Sequence, residues 1–451
     1  MRKFNFLVVG AGTGGCLAAR TAAEMGFDVG LVDVKPKEKI GEKVCGEGVG
    51  KHHFKTVGVN PPLGDELSRE VVGVEVTSPN MKTTFNIQGE GLHGYTIDRS
   101  AFGQRLLKEA CDAGAELFDL LRVRSPVLKN DTVIGIEGRD EREGGFIKLF
   151  GDIVIDSSGY AAILRKRLPK NWWTEENVKG EDVAICYREI RELDSLIDNP
   201  ENIKIFLSTS VAPGGYWWIF PKEDNRINVG IGVQMVNGFP NPKTQLYKHV
   251  LSKSIFRNSK VIESGGGIVP TRRPLNCMTG NGVILVGDAA CQPNPIHGGG
   301  IGPSMLAGKM AVEIGAKGIE QGDVSQSSLW RYNSEFMFDY GAKCAGLDVF
   351  RLFLQKCSDT DLNFGMENRI IKEDDILAAS MGENLRLNIS EKIERLLAGI
   401  RRMSFLRALR MTANNMRIIK KYYKSYPNEK EFPEWIVQID QIINDMRKLS
   451  F

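Results

Sequence analysis

The chain of 451 residues is poor in histidine, with 5, and none stands near a cysteine at a ligand spacing. Its 8 cysteines are scattered and form no Cys-x-x-Cys pair. A metal centre, an iron–sulfur segment and a secreted disulfide scaffold are therefore not expected. A reduced, cytoplasmic setting is the default, with a Cys344–Cys357 bridge left open. Long apolar runs are missing too, so no segment is expected to span a bilayer. The apolar run after Met1-Arg2-Lys3 stops at Val9, too soon for a signal peptide. The net charge of +3 is too small to argue for nucleic acid. There is no internal repeat and no low-complexity segment. What remains is 42% hydrophobic and 25% charged, an ordinary globular composition, and enough chain for roughly two to three domains.

Glycine is abundant, at 49 residues, and gathers in turns. The richest stretch is 283–307, VILVGDAACQPNPIHGGGIGPSMLA. Val283–Val286 reads as a buried strand ending at Gly287. Asp288 then offers a carboxylate where a ribityl hydroxyl could be held. A turn through Pro293, Pro295 and Gly298–Gly300 leads into a helix over Met305–Ala316. A helix N-terminus behind glycines suits an electron-rich ligand edge. His297 in this turn is expected to be structural. The N-terminus supplies a matching half: strand Phe4–Val9, then Gly10-Ala-Gly12-Thr-Gly14-Gly15, then helix Cys16–Met25, then strand Phe27–Val32 ending in Asp33. That order is the strand–GxGxxG–helix–strand–acid of a dinucleotide fold. Gly10 and Gly12 give a tight turn and clearance for a pyrophosphate, and Gly15 brings helix and strand together. Asp33 stands where a carboxylate takes the adenosine ribose.

Between these halves, Lys39–Gly50 (KIGEKVCGEGVG) reads as a loop, and His52-His53 beyond it as a solvated helix start. Val71–Ile97 alternates as antiparallel strands, and Asp98-Arg99 opens a helix. Ala115–Ile136 reads as strand, turn, strand. Val183–Ile190, Ile203–Phe206, Tyr216–Phe220 and Arg226–Val233 read as a second sheet. After Ala307 the chain is helical to its end.

Three separated motifs, Gly10–Gly15, Asp98-Arg99 and Gly287-Asp288 with Pro295–Gly300, together resemble the FAD-binding fold of the para-hydroxybenzoate hydroxylase type. Pro213-Gly-Gly-Tyr216-Trp-Trp218-Ile-Phe220-Pro221 with Gly230-Ile-Gly232 resembles the PxxYxWxFP…GxG signature of geranylgeranyl reductases. Lys43-Val-Cys45-Gly46-Glu-Gly48 resembles that family's cysteine loop. Cys291 departs from the histidine that relatives often carry there. The resemblance implies an α/β protein with a discontinuous Rossmann-like FAD-binding domain, an inserted antiparallel β-sheet substrate domain and a helical C-terminal region. The corresponding segments are 1–70, 98–165 and 271–330 for FAD, 71–97 and 166–270 for substrate, and 331–451 for the helices. It implies FAD held by Gly10, Gly12, Gly14, Gly15, Asp33, Cys45, Gly46, Arg99, Val123, Gly287, Asp288, Gly299, Gly300 and Ile301. It implies a substrate wall of Tyr216, Trp218 and Phe220, with Leu377, Ile376 and Phe350–Leu354 along a tail channel.

The reaction so implied is the FAD-dependent saturation of C=C bonds in geranylgeranyl chains of archaeal-type lipids or of geranylgeranyl diphosphate. It needs a hydride, a proton and a dry aromatic channel. On a strand, Tyr216, Trp218 and Phe220 share one face. Cys45 is the first candidate for the proton donor and a water held by Tyr216 the second. No second GxGxxG unit is present, so an external donor, a ferredoxin or a reduced nicotinamide, is expected. A flavin hydroxylase using NAD(P)H and oxygen and an electron-transfer flavoprotein are the alternatives. Finally, residues 395–424 form a basic amphipathic pattern without an acid. It reads as a packed helix with a solvated face, or as a peripheral contact with anionic lipid on the inner membrane face.

Overall fold

The structure, a computed structural model, describes residues 2–387 and 400–451. In chain order the strands are β1 (Lys3–Val9), β2 (Val29–Val32), β3 (Gly48–Gly50), β4 (Leu67–Val71), β5 (Gly73–Thr77), β6 (Thr84–Gln88), β7 (Gly94–Ile97), β8 (Glu116–Phe118) and β9 (Leu121–Lys129). They continue as β10 (Thr132–Asp140), β11 (Phe146–Asp156), β12 (Val183–Glu192), β13 (Asn202–Phe206), β14 (Tyr216–Pro221), β15 (Arg226–Gln234), β16 (Lys260–Pro270), β17 (Thr279–Gly280) and β18 (Val283–Leu285).

The first sheet runs β17-β18-β11-β1-β2-β8, with β10 and β9 added through β11. Its centre is parallel: β1 pairs in parallel with β2 and β11, and β18 pairs in parallel with β11. Strands buried on both faces are continuously apolar, and Phe6, Leu7, Val8 and Val9 are all buried. The helix Thr13–Glu24 crosses from β1 to β2 and packs against the helix Ile301–Gln321. The latter begins directly after Gly300, four residues earlier than the pattern suggests; the glycines and Pro303 occupy its first turn, where neither is penalised.

The second sheet runs β16-β12-β15-β14-β13-β5-β6 and is antiparallel except where β13 meets β5. Its face bearing Trp217 and Ile219 closes an apolar core with Val229, Ile231 and Leu246. The opposite face looks toward the Lys39–Gly50 loop. A third small sheet, β3-β7-β4, is tied to the second by the Thr96 hydroxyl, which donates to the Pro221 carbonyl at 2.7 Å. Thus β7, read as part of one run with its neighbours, pairs with β3 of the N-terminal segment instead.

The C-terminal helices are Gln326–Phe336, Ala342–Leu354, Asp359–Glu367, Glu373–Ser380, Ile400–Lys424 and Phe432–Arg447. A buried ionic cluster ties them to the sheets. Arg351 pairs with Asp182 (2.9 Å) and Asp348 (2.7 Å), and Arg447 reaches the other Asp182 oxygen at 2.6 Å. Cys344 and Cys357 are buried free thiols, not a bridge. Of the basic 395–424 pattern, 395–399 lie outside the described residues. Along Ile400–Lys424, Phe405, Leu406, Leu409, Met416, Ile419 and Tyr423 are buried, and Arg407, Arg417, Lys421 and Lys424 are exposed. No helix among the described residues is long and apolar enough to cross a membrane.

Candidate functional site

At the end of β1 the chain turns through Gly10, whose φ of +101° only glycine adopts without strain. Gly15 abuts the Gly10 carbonyl and Gly14 faces Ser304 and Val286, so both glycines serve close packing of the helix. Gly12 differs: nothing lies within 4 Å of the place a Cβ would occupy. Gly12 is also the N-cap of the helix and supplies no side-chain cap, so the first N–H groups point into this opening. Asp33 is fixed at its edge: the Ala11 N–H donates to one carboxylate oxygen and the Lys35 N–H to the other, both at 2.8 Å. The Leu121 N–H donates to the Asp33 carbonyl at 2.9 Å, which brings the start of β9, and Val123 two residues on, to the same end.

Asp288 lies at the opposite end of this cleft, after β18. Gly287 (φ +69°) and Cys291 (φ +56°) take left-handed conformations around it. Cys291 is buried, and its thiol is pushed up to about 11 by burial, as befits a packing residue. The helix Ile301–Gln321 starts here without a side-chain cap. His297 is a bracket: its Nδ1 accepts the Gly299 N–H (3.1 Å) and its carbonyl accepts the Tyr216 hydroxyl (2.8 Å). Arg99 opens the helix Arg99–Asp112 and is buried, yet its Nε and Nη1 have no hydrogen-bond partner. A buried cation left so costs several kcal/mol unless an anion meets it. Gly41 and Gly103 touch backbone to backbone beside it and hold the Lys39–Gly50 loop down. From that loop Lys43 reaches Asp288 (2.9 Å). The loop was legible as a loop; its lysine as a site residue was not. The glycine inside the helix at 103 was the signal of a close approach.

The aromatic strand lies across from the loop. Tyr216, Trp218 and Phe220 share a face, with ring centroids 5.9 Å and 6.1 Å apart. Across the sheet, Tyr216 stands opposite Gly232, then Cys186, then Gly267; Trp218 stands opposite Gly230, then Arg188, then Gly265. Glycines therefore strip Cβ atoms from the wall beside Tyr216 and Trp218, while Phe220 stands opposite Asn228. Val44 fits over Gly265 and Gly267, and Phe220 covers Gly46 and Gly48. Asn228 ties wall to loop: it accepts the Trp218 indole N–H (3.0 Å) and donates to the Cys45 carbonyl (2.9 Å). The Cys45 sulfur accepts the Glu47 N–H at 3.0 Å. Burial, and then the Glu47 charge, raise this thiol above its ordinary range, while Arg99 and Lys43 pull it back. It is a neutral thiol at pH 7 with positive charge close by.

A basic cluster borders the helix start. The His53 ring lies against Gly302 and near His52, ring centroids 4.0 Å apart. The helix Lys51–Val57 starts here as expected, with His52 exposed and His53 half-buried against Gly302. Burial, then His52, Lys343 and His297, lower His53 to about 3. Burial and Lys343 lower His297 to about 4, and burial lowers Lys343 itself. Leu377 sits further out, with Ile376, Phe85, Ile87 and Leu207 in a small apolar cluster. Phe350 and Phe353 belong instead to the main core.

Compared with known proteins, residues 182–269 match the geranylgeranyl reductase catalytic domain, and residues 5–71 match the family described as glucose inhibited division protein A. The chain is 37% identical over 449 residues to the digeranylgeranylglycerophospholipid reductase of Sulfolobus acidocaldarius, covering 99% of this chain and 98% of the relative. The chain belongs to this reductase family. A second relative, digeranylgeranylglycerophospholipid reductase 2 of Methanopyrus kandleri, is 31% identical, covering 87% of this chain and 96% of its own. In fold the chain matches a geranylgeranyl bacteriochlorophyll reductase-like protein from Thermoplasma acidophilum, with a TM-score of 0.75 at 24% identity over 91% of this chain and 100% of that one. A flavin-dependent brominase, Bmp2, has the same fold at a TM-score of 0.65 and 18% identity, over 85% of this chain and 94% of that one. The protein is an FAD-dependent oxidoreductase acting on CH–CH groups. The cleft fits that cofactor: an open glycine turn and Asp33 at one end, the unpaired Arg99 guanidinium between, and Asp288 with an uncapped helix at the other.

Proposed function

We propose that this reductase saturates the C=C bonds of geranylgeranyl chains in isoprenoid membrane lipids. The observation that carries the reading is the pairing of an aromatic wall (Tyr216 and Trp218 against Gly230, Gly232, Gly265 and Gly267, with Phe220 beside them) with the half-buried thiol of Cys45. Bound reduced FAD supplies a hydride. Cys45 supplies the proton to the less substituted alkene carbon, and its sulfur is left as a thiolate that solvent reprotonates. The Glu47 N–H, Arg99 and Lys43 stabilise that thiolate. Positive charge developing on the tertiary carbon meets aromatic faces, worth about 0.5–2 kcal/mol per contact. The same wall keeps out water that would capture it as an alcohol.

His52, His53, His297 and Lys343 suit the phosphate end of such a lipid, and Leu377 with Ile376 suits its chain. The exposed Arg407, Arg417, Lys421 and Lys424 row, with exposed Met403 and Met411, suits the surface of an anionic membrane, and an external ferredoxin or reduced nicotinamide supplies electrons. The test is anaerobic. Chemically reduced holoenzyme is mixed with an unsaturated digeranylgeranyl phospholipid, and flavin reoxidation is followed beside product mass. Products heavier by pairs of hydrogens are expected. A strict requirement for oxygen, with product heavier by an oxygen atom, would replace this reading with hydroxylation. Cys45→Ser should keep FAD and lower turnover by about a hundredfold; undiminished turnover clears Cys45 of the role.

A further inference from the structure

We infer that Lys43 is the residue that sets the charge state of the flavin site, favouring reduced over oxidised FAD. Three parts of the chain meet at its ammonium. The Lys39–Gly50 loop brings it across the cleft, where Nζ lies 2.9 Å from Asp288 Oδ2. The other Asp288 oxygen is 3.4 Å from where a Gly300 side chain would begin, at the start of the uncapped helix Ile301–Gln321. The side chain is half exposed along the cleft while Asp288 is only 10% exposed, so the lysine lines the opening and its charge closes on the carboxylate.

The charges do not balance. Lys43, which Arg99 repels and the positive helix end adjoins, pairs with one carboxylate among the described residues, Asp288. Glu47 in the same loop is already committed to Lys222 (2.8 Å) and Arg188 (3.5 Å). Arg99, with Nε and Nη1 unpaired and buried, has the disposition to take the phosphate charge of the cofactor. Lys43 then remains as the cation between the helix start and Cys45, two residues on. The Asp288 charge holds it protonated against the Arg99 repulsion, raising it above an ordinary lysine. A fixed cation near the polar edge of the flavin ring binds the extra negative charge of the reduced form and leaves the oxidised form little changed.

The test uses FAD-loaded protein without lipid, so it stands apart from the reading of the substrate. Lys43→Met and Lys43→Gln are compared with wild type for FAD affinity, midpoint potential and the spectrum of the reduced flavin. Both variants are expected to keep FAD and to lose about tenfold in preference for the reduced form, a fall of about 30 mV for a two-electron couple. Lys43→Arg should restore most of it. An unchanged potential in both variants would overturn the inference. So would loss of FAD itself from both, which would make Lys43 an anchor.

Discussion

The two faces of β14 are made from one short strand of aromatics, yet they do opposite work. On one face Trp217 stacks on Phe206 with ring centroids 3.7 Å apart, inside a core with Ile219, Val229 and Ile231. On the other, Trp218 lies over Gly230 and its N–H is committed to Asn228, which holds the Cys45 loop. The first face is filled by side chains of its own sheet; on the second, glycines make the room that the Trp218 ring and Val44 of the loop take up. Packing fills space for stability, and a site leaves space that only the right ligand fills.

The sharpest break of this comparison is at position 217. Trp217→Ala should cost about 3–5 kcal/mol of folding stability, read as a fall in the denaturant midpoint. Trp218→Phe keeps a ring on the open face but drops the indole N–H. It should cost about 1–3 kcal/mol, less than Trp217→Ala, because the buried Asn228 oxygen loses its donor, and it should lower alkene reduction roughly tenfold by freeing Asn228 and the loop. Equal stability losses at both positions would mean that the two faces are one core. At the FAD end, Arg99→Met should weaken FAD binding by about a hundredfold, near 2.7 kcal/mol, measured by flavin retention on dilution. An Arg99→Met protein that holds FAD as wild type does would show that the unpaired guanidinium serves the fold. Gly232→Ala is the finer cut. The added methyl would meet only the Cys186 sulfur, at 3.3 Å, which a shift of a few tenths of an ångström relieves, so the fold should tolerate it. Its effect should fall on turnover of bulky chains, by several-fold, with FAD affinity unchanged.

Much of this arrangement was legible because its signals are local. Gly10–Gly15, Asp33 and Gly287-Asp288 carry their geometry in adjacent residues, and alternation alone puts Tyr216, Trp218 and Phe220 on one side of a strand. The family model over 182–269 and the first sheet agree with the fold class so read. What local pattern could not give were pairings across long separations. Nothing in Lys39–Gly50 announces that Lys43 meets Asp288 or that Cys45 meets Asn228. The helix start at Ile301 was placed late because glycine and proline lower helix propensity, a penalty that vanishes in a first turn. His52-His53, in a polar stretch, read as solvated; Gly302, far along the chain, makes the room that takes His53 in.

The weakest expected effect concerns that cluster, and its sign separates two roles. His53 is held at about 3, against an ordinary 6.5, so it is neutral in the fold over the usual range. The unfolded chain takes up a proton at this position below 6.5, so its contribution to stability is full above that pH and is lost as pH falls toward 3. The melting temperature of the empty protein should therefore drop over this window, and His53→Gln should flatten the drop. Binding of a phosphodiester lipid should run the other way. Its charge is constant over the window, and it would favour imidazolium at His52, His53 or His297 beside Lys343, with Tyr340 and Cys344 neutral there. Affinity should rise severalfold to about tenfold from pH 7 to 5, and His53→Gln should blunt the rise. Affinity that is level across the window, with the stability drop intact, would leave these histidines to packing and send the phosphate elsewhere.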